Sequence, residues 1–173
     1  MLLPILAAAT TFVLASHAIP HEGATLPATS VYHGYNCTGA NMSPDLEWSG
    51  ARKATKSFAL TMFDPDAPVN GGWWHWIVFN IPAGWSGLKE NAGAASGKLT
   101  AGAMIQGMTS FGSPAYGGPC PPPGPAHHYV FTLYALDVAK VDGAGASTTG
   151  PDLLKLIEKH TLAKTTLTGR YGR

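Results

Sequence analysis

Charged residues are scarce in this chain, with 11 Lys and Arg and 10 Asp and Glu among 173 residues and a formal net charge of +1. No run of Lys or Arg occurs, so the sequence predicts neither a nucleic-acid partner nor a basic patch that binds membrane surfaces. Hydrophobic residues make up 45% of the chain. A chain of this length buries one well-packed core but hardly two, and we therefore predict one globular domain.

The short motifs of common metal and hydrolase sites are also missing. The sequence has no HExxH pair of zinc ligands and no GxSxG turn around a nucleophilic serine. Its two cysteines, Cys37 and Cys120, are too far apart for a CxxC metal or redox motif. We therefore predict no metal, no cofactor and no catalytic residues. The cysteines either form one disulfide, as an even pair in an exported protein would, or stay reduced in the interior.

The N-terminus is apolar and uncharged over residues 2–14. This pattern is typical of a secretory signal peptide, with residues 13–15 or 16–18 as the cleavage sequence. The segment is too short to span a bilayer, so we predict no stable membrane insertion. We assign residues 1–18 to a signal peptide and residues 19–173 to the mature domain, which would be periplasmic or secreted. The alternative is an ordinary apolar N-terminal strand.

Three apolar segments have the composition of β-strands: residues 57–63, 73–81 and 128–136. Nine turn-rich residues separate the first two, which predicts an antiparallel hairpin that places Asp64 beside His75. In the third segment, side chains alternate between the two faces, so His127 and Tyr129 point the same way. The sequence therefore predicts one small polar pocket at the end of a sheet.

Two prolines stiffen the turn that carries Asp64. The turn must still aim Asp64 at His75. We therefore expect at least one of the peptide bonds Asp64–Pro65 and Ala67–Pro68 to be cis, although cis bonds are rare before proline.

The remaining segments complete a mostly β fold. Pro151 and Asp152 begin an amphipathic stretch that predicts a helix over residues 151–160. Short strands are predicted at residues 103–106 and 165–170. Residues 107–124 form a long loop rich in Gly and Pro, and such a loop is uncommon unless it builds a site.

The side chains of the predicted pocket favour anion recognition. Imidazole N–H and phenol O–H groups, here from His75, His127 and Tyr129, can donate to a phosphate or another oxyanion. A zinc site of His75, His127 and Asp64 is the alternative, but the short ligand spacings of common zinc sites are absent. The residues expected at the pocket rim are Trp74 and Tyr116.

Several blocks of unusual sequence are spread along the chain: CTGANMSP at residues 37–44, DPDAP at 64–68, WWHW at 73–76, YGGPCPPPG at 116–124, HHY at 127–129 and LTGRYG at 167–172. Together they resemble the signature blocks of the phosphatidylethanolamine-binding protein family, and most closely its compact bacterial Raf-kinase-inhibitor-like branch. The resemblance covers the chain from about residue 30 to the C-terminus.

This resemblance implies a β-sandwich of antiparallel sheets with few peripheral short helices. It also implies an anion pocket for phosphate, phosphoryl-ethanolamine or carboxylate-type ligands. The family's ligand positions fall on Asp64, His75, Pro122, His127 and Tyr129, with Asp66 and the amide of Gly118 close by.

From these observations we predict an exported, non-enzymatic module that binds a small anionic or zwitterionic ligand. One alternative is a protein-interaction module that inhibits a kinase or protease target, which an exposed apolar patch around Trp74 and Tyr116 would support. The other is a small-molecule enzyme with Asp64 and His75 as acid and base. By resemblance to small members of the family, a homodimer also stays open.

Overall fold

Strands dominate the fold, as the sequence predicts. The computed structural model describes residues 11–95 and 104–173. In these residues the strands are β1 (Val13–Ala15), β2 (Ala24–Thr25), β3 (His33–Gly34), β4 (Cys37–Thr38), β5 (Leu46–Ser49), β6 (Ser57–Asp64), β7 (Trp73–Pro82), β8 (Gly87–Leu88), β9 (Ile105–Gln106), β10 (His127–Leu136) and β11 (Thr161–Tyr171). One helix, α1 (Gly150–Ile157), and 3₁₀ turns at Ala28–Ser30 and Glu158–His160 complete the described secondary structure. The mostly β prediction is confirmed.

Three long strands form the centre of a six-stranded sheet with the order β2-β11-β10-β6-β7-β9. Its neighbouring strands are antiparallel except β2 and β11, which are parallel. β6 and β7 are buried along almost their whole length, because strands that are apolar on both faces are stable only when both faces are covered. The hairpin of β6 and β7 and the third strand β10 match the prediction, with boundaries shifted by one residue. The strand predicted at 103–106 begins later, at Ile105, and residue 103 lies outside the described residues.

One face of this sheet packs on a second sheet. Leu60, Met62 and Phe131 of the large sheet share a core with Leu14 and Trp48 of the three-stranded sheet β1-β5-β8. Two sheets that pack face to face form a β-sandwich, which is the architecture that the family resemblance implies.

Helix α1 covers the opposite face of the large sheet. Thr149 is its N-cap, since its side chain accepts a backbone N–H of the first turn, and Pro151 lies in that turn. Leu153 and Ile157 are buried in a second core cluster against β6 and β7. The α-helix ends three residues earlier than predicted, because residues 158–160 form a 3₁₀ turn.

The N-terminal part of the described chain is a strand of the second sheet. β1 pairs antiparallel with β5, with Leu14 opposite Trp48. Leu14 is buried while Val13 is 45% exposed, which is the alternation expected of a strand that covers a core. Residues 13–15 are thus a strand in the full chain, and residues 1–10 lie outside the described residues. No helix in the described ranges is long and apolar enough to cross a membrane.

The turn between β6 and β7 contains no cis proline. Asp64–Pro65 and Ala67–Pro68 are both trans, so the expected cis bond was wrong. The chain reverses at Gly71 and Gly72 instead, which have φ values of +85° and +69°. Glycine adopts this left-handed region without steric cost, and the two glycines therefore supply the reversal that we had assigned to a proline.

A disulfide joins Cys37 to Cys120, with 6.0 Å between their Cα atoms. The sequence left open whether the two cysteines form a disulfide or stay reduced, and the structure contains the disulfide. β3 and β4 form a separate two-stranded sheet, and such a ribbon is marginally stable by itself. The bridge therefore anchors this ribbon to the loop rich in Gly and Pro.

Removing the disulfide with Cys37→Ser and Cys120→Ser should lower the free energy of unfolding by about 4 kcal/mol, because the bridge restricts the unfolded chain across a long loop. Urea unfolding of the variant and of the oxidised protein measures this difference. The wild-type protein under reducing conditions is the control and should match the variant. Equal stability of the oxidised protein and the variant would contradict the role of the bridge.

Candidate functional site

Three neighbouring strands place polar side chains around one cavity. At one end of the large sheet, β10 carries Tyr129, β6 carries Asp64 and β7 carries His75. The cavity has a volume of about 340 Å³, within the range of small-ligand sites. Its lining residues are Tyr35, Asp64, Ala67, Pro68, Val69, Trp73, His75, Phe111, Cys120, Pro121, Pro122, Pro123, His127, Tyr129 and Arg173. The structure thus brings together Asp64, His75, Pro122, His127 and Tyr129.

His75 reaches the cavity from a β-bulge. The pairing of β6 with β7 skips His75, which is the extra residue opposite the step from Met62 to Phe63, and bulges commonly re-aim a side chain next to a site. His75 Nδ1 lies 2.6 Å from the carbonyl oxygen of Gly117 and donates to it. The Nε2 atom is therefore the ring nitrogen available to the cavity.

Burial decides the protonation state of His75. Its side chain is 3% exposed, and desolvation lowers its pKa to about 4 although the backbone of Gly117 and Gly118 and the charge of Asp64 act in the opposite direction. At neutral pH the ring is uncharged. With its proton on Nδ1, the ring presents an acceptor, Nε2, to a ligand.

Asp64 is a buried carboxylate with both oxygens in hydrogen bonds. Oδ1 accepts the backbone N–H of Asp66 at 2.8 Å, which closes the turn after β6. Oδ2 lies 2.8 Å from Nδ1 of His127, which donates to it. This bond fixes the His127 ring and leaves its Nε2 as the second nitrogen.

Tyr129 carries a polar atom without a partner. Its side chain is fully buried, and its hydroxyl has no hydrogen bond to any residue in the described part of the chain. Desolvation, followed by the charge of Asp64, raises the pKa of Tyr129, so the hydroxyl stays protonated and is a donor. A buried hydroxyl without a partner is costly. Tyr129 therefore marks the place where a ligand atom or an ordered water is needed.

Aromatic residues and prolines form the mouth of the cavity. Tyr35, 64% exposed, stacks on Tyr32, and Tyr32 stacks on Phe111 at 4.6 Å between ring centroids. Trp73 contacts Phe111 edge-on at 5.5 Å. The mouth is thus apolar, whereas the floor carries the polar groups of Asp64, His75, His127 and Tyr129.

Four predicted site residues lie outside the cavity lining. Asp66 accepts two bonds from His128, from its backbone N–H and from Nδ1, and these bonds lower the pKa of the Asp66 carboxyl. The amide of Gly118 donates to the Asn41 side chain at 2.8 Å and is not available to a ligand.

Trp74 and Tyr116, which were expected at the rim of the cavity, lie away from it. Trp74 packs on Phe63, and Tyr116 is buried with its hydroxyl bonded to the carbonyl of Ser30.

The sequence reasoning missed Tyr35, Trp73, Phe111 and Arg173 as cavity residues. Strand alternation could have found Trp73, because residues two apart share a face and His75 was already assigned to the pocket. The others lie in loops or at the chain end, where no periodicity indicates direction.

A larger groove of about 1290 Å³ lies along β1, β5 and β8. It is more open than the cavity at the end of the large sheet. One of its carboxylates, that of Asp45, already accepts bonds from Nδ1 and the backbone N–H of His17. The smaller cavity is the better candidate, because its polar groups converge and one of them has no partner.

No group of three His, Cys, Asp or Glu side chains that could hold a metal ion occurs in residues 11–95 and 104–173. The zinc alternative of His75, His127 and Asp64 is therefore not supported within these residues.

Comparison with known proteins gives consistent results. A family profile described as "Phosphatidylethanolamine-binding protein" matches residues 16–172. The UPF0098 protein YbcL of Escherichia coli (strain K12) is 47% identical over 137 residues, which are 78% of this chain and 74% of that protein. The UPF0098 protein YbhB of the same organism is 37% identical over 154 residues, covering 87% of this chain and 94% of that protein.

Solved structures agree with these sequence matches. The crystal structure of E. coli YbcL, described as a new member of the mammalian PEBP family, superposes with a TM-score of 0.89 at 38% identity over 94% of this chain and 98% of that one. The phosphatidylethanolamine-binding protein homolog CT736 from Chlamydia trachomatis superposes with a TM-score of 0.79 at 32% identity, covering 95% and 99% of the two chains.

The buried state of His75 predicts a pH-dependent stability. The unfolded chain protonates this histidine below about pH 6.5, whereas the folded protein keeps it neutral to about pH 4. Protonation therefore favours the unfolded state, and stability falls as the pH falls through this window. Relative to His75→Gln, the wild-type protein should lose about 3 kcal/mol between pH 7 and pH 4. Urea unfolding across this range measures the loss, and parallel pH profiles of the two proteins would contradict it.

Proposed function

The chain belongs to the phosphatidylethanolamine-binding protein family, and from this premise we propose that its cavity binds a small phosphate-type anion. Family membership supports a ligand-binding module. The ligands that we propose are inorganic phosphate, a phosphoryl-ethanolamine head group and, with weaker binding, a carboxylate.

The hydroxyl of Tyr129 is the observation that carries this proposal. It is a buried donor without a protein partner in the described residues. The neighbouring ring of His75 lies 5.1 Å from the Tyr129 ring, centroid to centroid, and contributes the acceptor Nε2. The floor of the cavity thus requires a ligand that accepts one hydrogen bond and donates another.

A phosphate group with one proton satisfies both requirements. An unprotonated oxygen accepts from Tyr129, while the P–OH group donates to His75 Nε2. The second pKa of a phosphate ester is about 6, so this proton is still present in part near neutral pH. A carboxylate, with a pKa of about 4, has lost its proton by then and cannot donate. We therefore propose that phosphate-type ligands bind better than carboxylates.

The negative charge of Asp64 limits which anions bind. Its carboxylate is offset by the bond from His127 at 2.8 Å, and a ligand with an ammonium group would offset it further. A zwitterion such as a phosphoryl-ethanolamine head group therefore also fits the charges of the floor.

The two alternative functions, a protein-interaction module and a small-molecule enzyme, have less support. An inhibitor-like surface was expected around Trp74 and Tyr116, but Tyr116 is buried and Trp74 is partly buried in a core cluster. An acid/base enzyme was expected from a direct contact of Asp64 with His75. In the described chain Asp64 bonds to His127 instead, and His75 bonds to Gly117. We accordingly propose binding without catalysis.

We also propose export, on the apolar pattern of residues 2–14. Cleavage after Ala18, at the small residues that close the apolar segment, removes β1 from the mature chain and leaves β5 without this neighbour. It would also take the buried side chain of Leu14 out of the core.

N-terminal sequencing of the protein from its source should find it outside the cytoplasm, with a mature N-terminus near Ile19. A mature chain that still contains residues 13–15 would contradict the boundary. Intact Met1 in the cytosolic fraction would contradict export itself.

The affinity for a phosphate monoester such as phosphoryl-ethanolamine should fall as the pH rises from 5 to 8, because the ester group loses, through its second pKa of about 6, the proton that it donates to His75 Nε2. His75→Ala should weaken this binding about tenfold or more and flatten the pH dependence, since it removes a hydrogen bond to a charged group. Isothermal titration calorimetry at several pH values measures both effects.

His21→Ala is the matched control, because His21 is an exposed histidine outside the cavity lining. It should bind phosphate like the wild-type protein at every pH. Equal, pH-independent affinities of the wild-type protein and His75→Ala would show that the cavity is not the anion site.

A further inference from the structure

Arg173 is a cavity residue whose guanidinium group is held in place by backbone carbonyls. Its Nε donates to the carbonyl of Pro121 at 2.6 Å, and Nη1 donates to the carbonyl of Asn36 at 3.3 Å. The carbonyl of Arg173 in turn accepts the N–H of Gly124 at 3.0 Å. These bonds come from the two loops that the disulfide joins, so the guanidinium is fixed at the edge of the cavity before any ligand arrives.

The guanidinium is the one permanent positive charge among the described residues that line this cavity. The other ionisable lining groups are Asp64, His75, His127 and the phenols of Tyr35 and Tyr129. Asp64 is bonded to His127, burial keeps His75 uncharged at neutral pH, and Tyr129 stays protonated. No side-chain carboxylate of the described lining is bonded to the guanidinium of Arg173.

The geometry of the guanidinium leaves donors for a ligand. Arginine has five N–H groups in a planar fork, and the two bonds to Pro121 and Asn36 use Nε and one N–H of Nη1. The remaining N–H groups have no hydrogen-bond partner in the part of the chain that the structure describes. A planar fork with free donors suits carboxylate and phosphate oxygens.

We propose that Arg173 forms a second anion subsite, so that the cavity prefers ligands with two acidic groups. One group, a phosphate, binds at the floor with Tyr129 and His75. The other, a carboxylate or a second phosphate, binds Arg173 at the edge. This inference rests on the proposed function, because it assumes that the floor takes a phosphate, and it narrows the ligand class to small phosphorylated acids.

The test compares 2-phosphoglycolate with inorganic phosphate by calorimetry at one pH and ionic strength. The wild-type protein should bind 2-phosphoglycolate about tenfold more tightly. Arg173→Gln should abolish this preference while it changes phosphate affinity less than about twofold. Arg173→Lys, which keeps the charge but not the fork, should keep part of the preference.

Arg170→Gln is the control, because Arg170 is an exposed arginine nearby in sequence and outside the cavity lining. It should leave the preference intact. Equal weakening of both ligands by Arg173→Gln would overturn the inference, since that result means that Arg173 only supports the loops of Pro121 and Asn36. Equal wild-type affinities for the two ligands would overturn it as well.

Failure of the proposed function gives a different result. If the wild-type protein binds neither ligand, or if phosphate binding is unaffected by His75→Ala, the floor is not a phosphate site, and the Arg173 subsite fails with it. Normal phosphate binding that depends on His75, without the Arg173-dependent preference, overturns the Arg173 inference alone.

Discussion

A buried carboxylate, that of Asp64, is the constraint on which the candidate site depends. Its side chain is almost entirely shielded from water, and an ionised carboxylate there is stable only with hydrogen bonds to both oxygens. One bond comes from the backbone of Asp66 and sets the turn after β6, and the other comes from His127 at the start of β10. Desolvation, followed by this charge, raises the pKa of Tyr129. One group thus determines the shape of the turn and the orientation of an imidazole.

The anion site that we propose lies beside a carboxylate, and this arrangement requires a physical explanation. Two neighbouring negative charges repel strongly where water is excluded. The structure reduces this repulsion in two ways, because Asp64 is bonded to His127, and because Arg173 adds a positive charge at the edge of the cavity. The direct contacts at the floor, from Tyr129 and His75, are neutral. In the proposed complex, Tyr129 and His75 select a ligand by its hydrogen-bonding pattern and its protonation state, whereas Arg173 selects it by its charge.

The sequence predicts the central strands well and the cavity wall poorly. β6, β7 and β10 are continuous apolar segments with clear turn signals, so their pairing and the convergence of Asp64, His75, His127 and Tyr129 could be predicted.

The wall of the cavity depends on long-range contacts that leave no local pattern in the sequence. The Gly118 amide is taken by Asn41, and Arg173 is held by carbonyls far away in sequence. Trp74 was chosen for the rim over Trp73, although strand alternation favours Trp73. The apolar N-terminus suits a signal peptide and a strand equally, and the pairing of residues 13–15 with β5 is not visible in the sequence.

A crystal structure of the protein grown in phosphate near pH 6 tests the central claim most directly. The account predicts a phosphate in the cavity, with one oxygen about 2.7 Å from the hydroxyl of Tyr129 and another about 2.8 Å from Nε2 of His75. Such an anion would give the buried phenol the partner that the protein chain does not supply. A cavity that contains only water at saturating phosphate, with Tyr129 bonded to that water, would contradict the account.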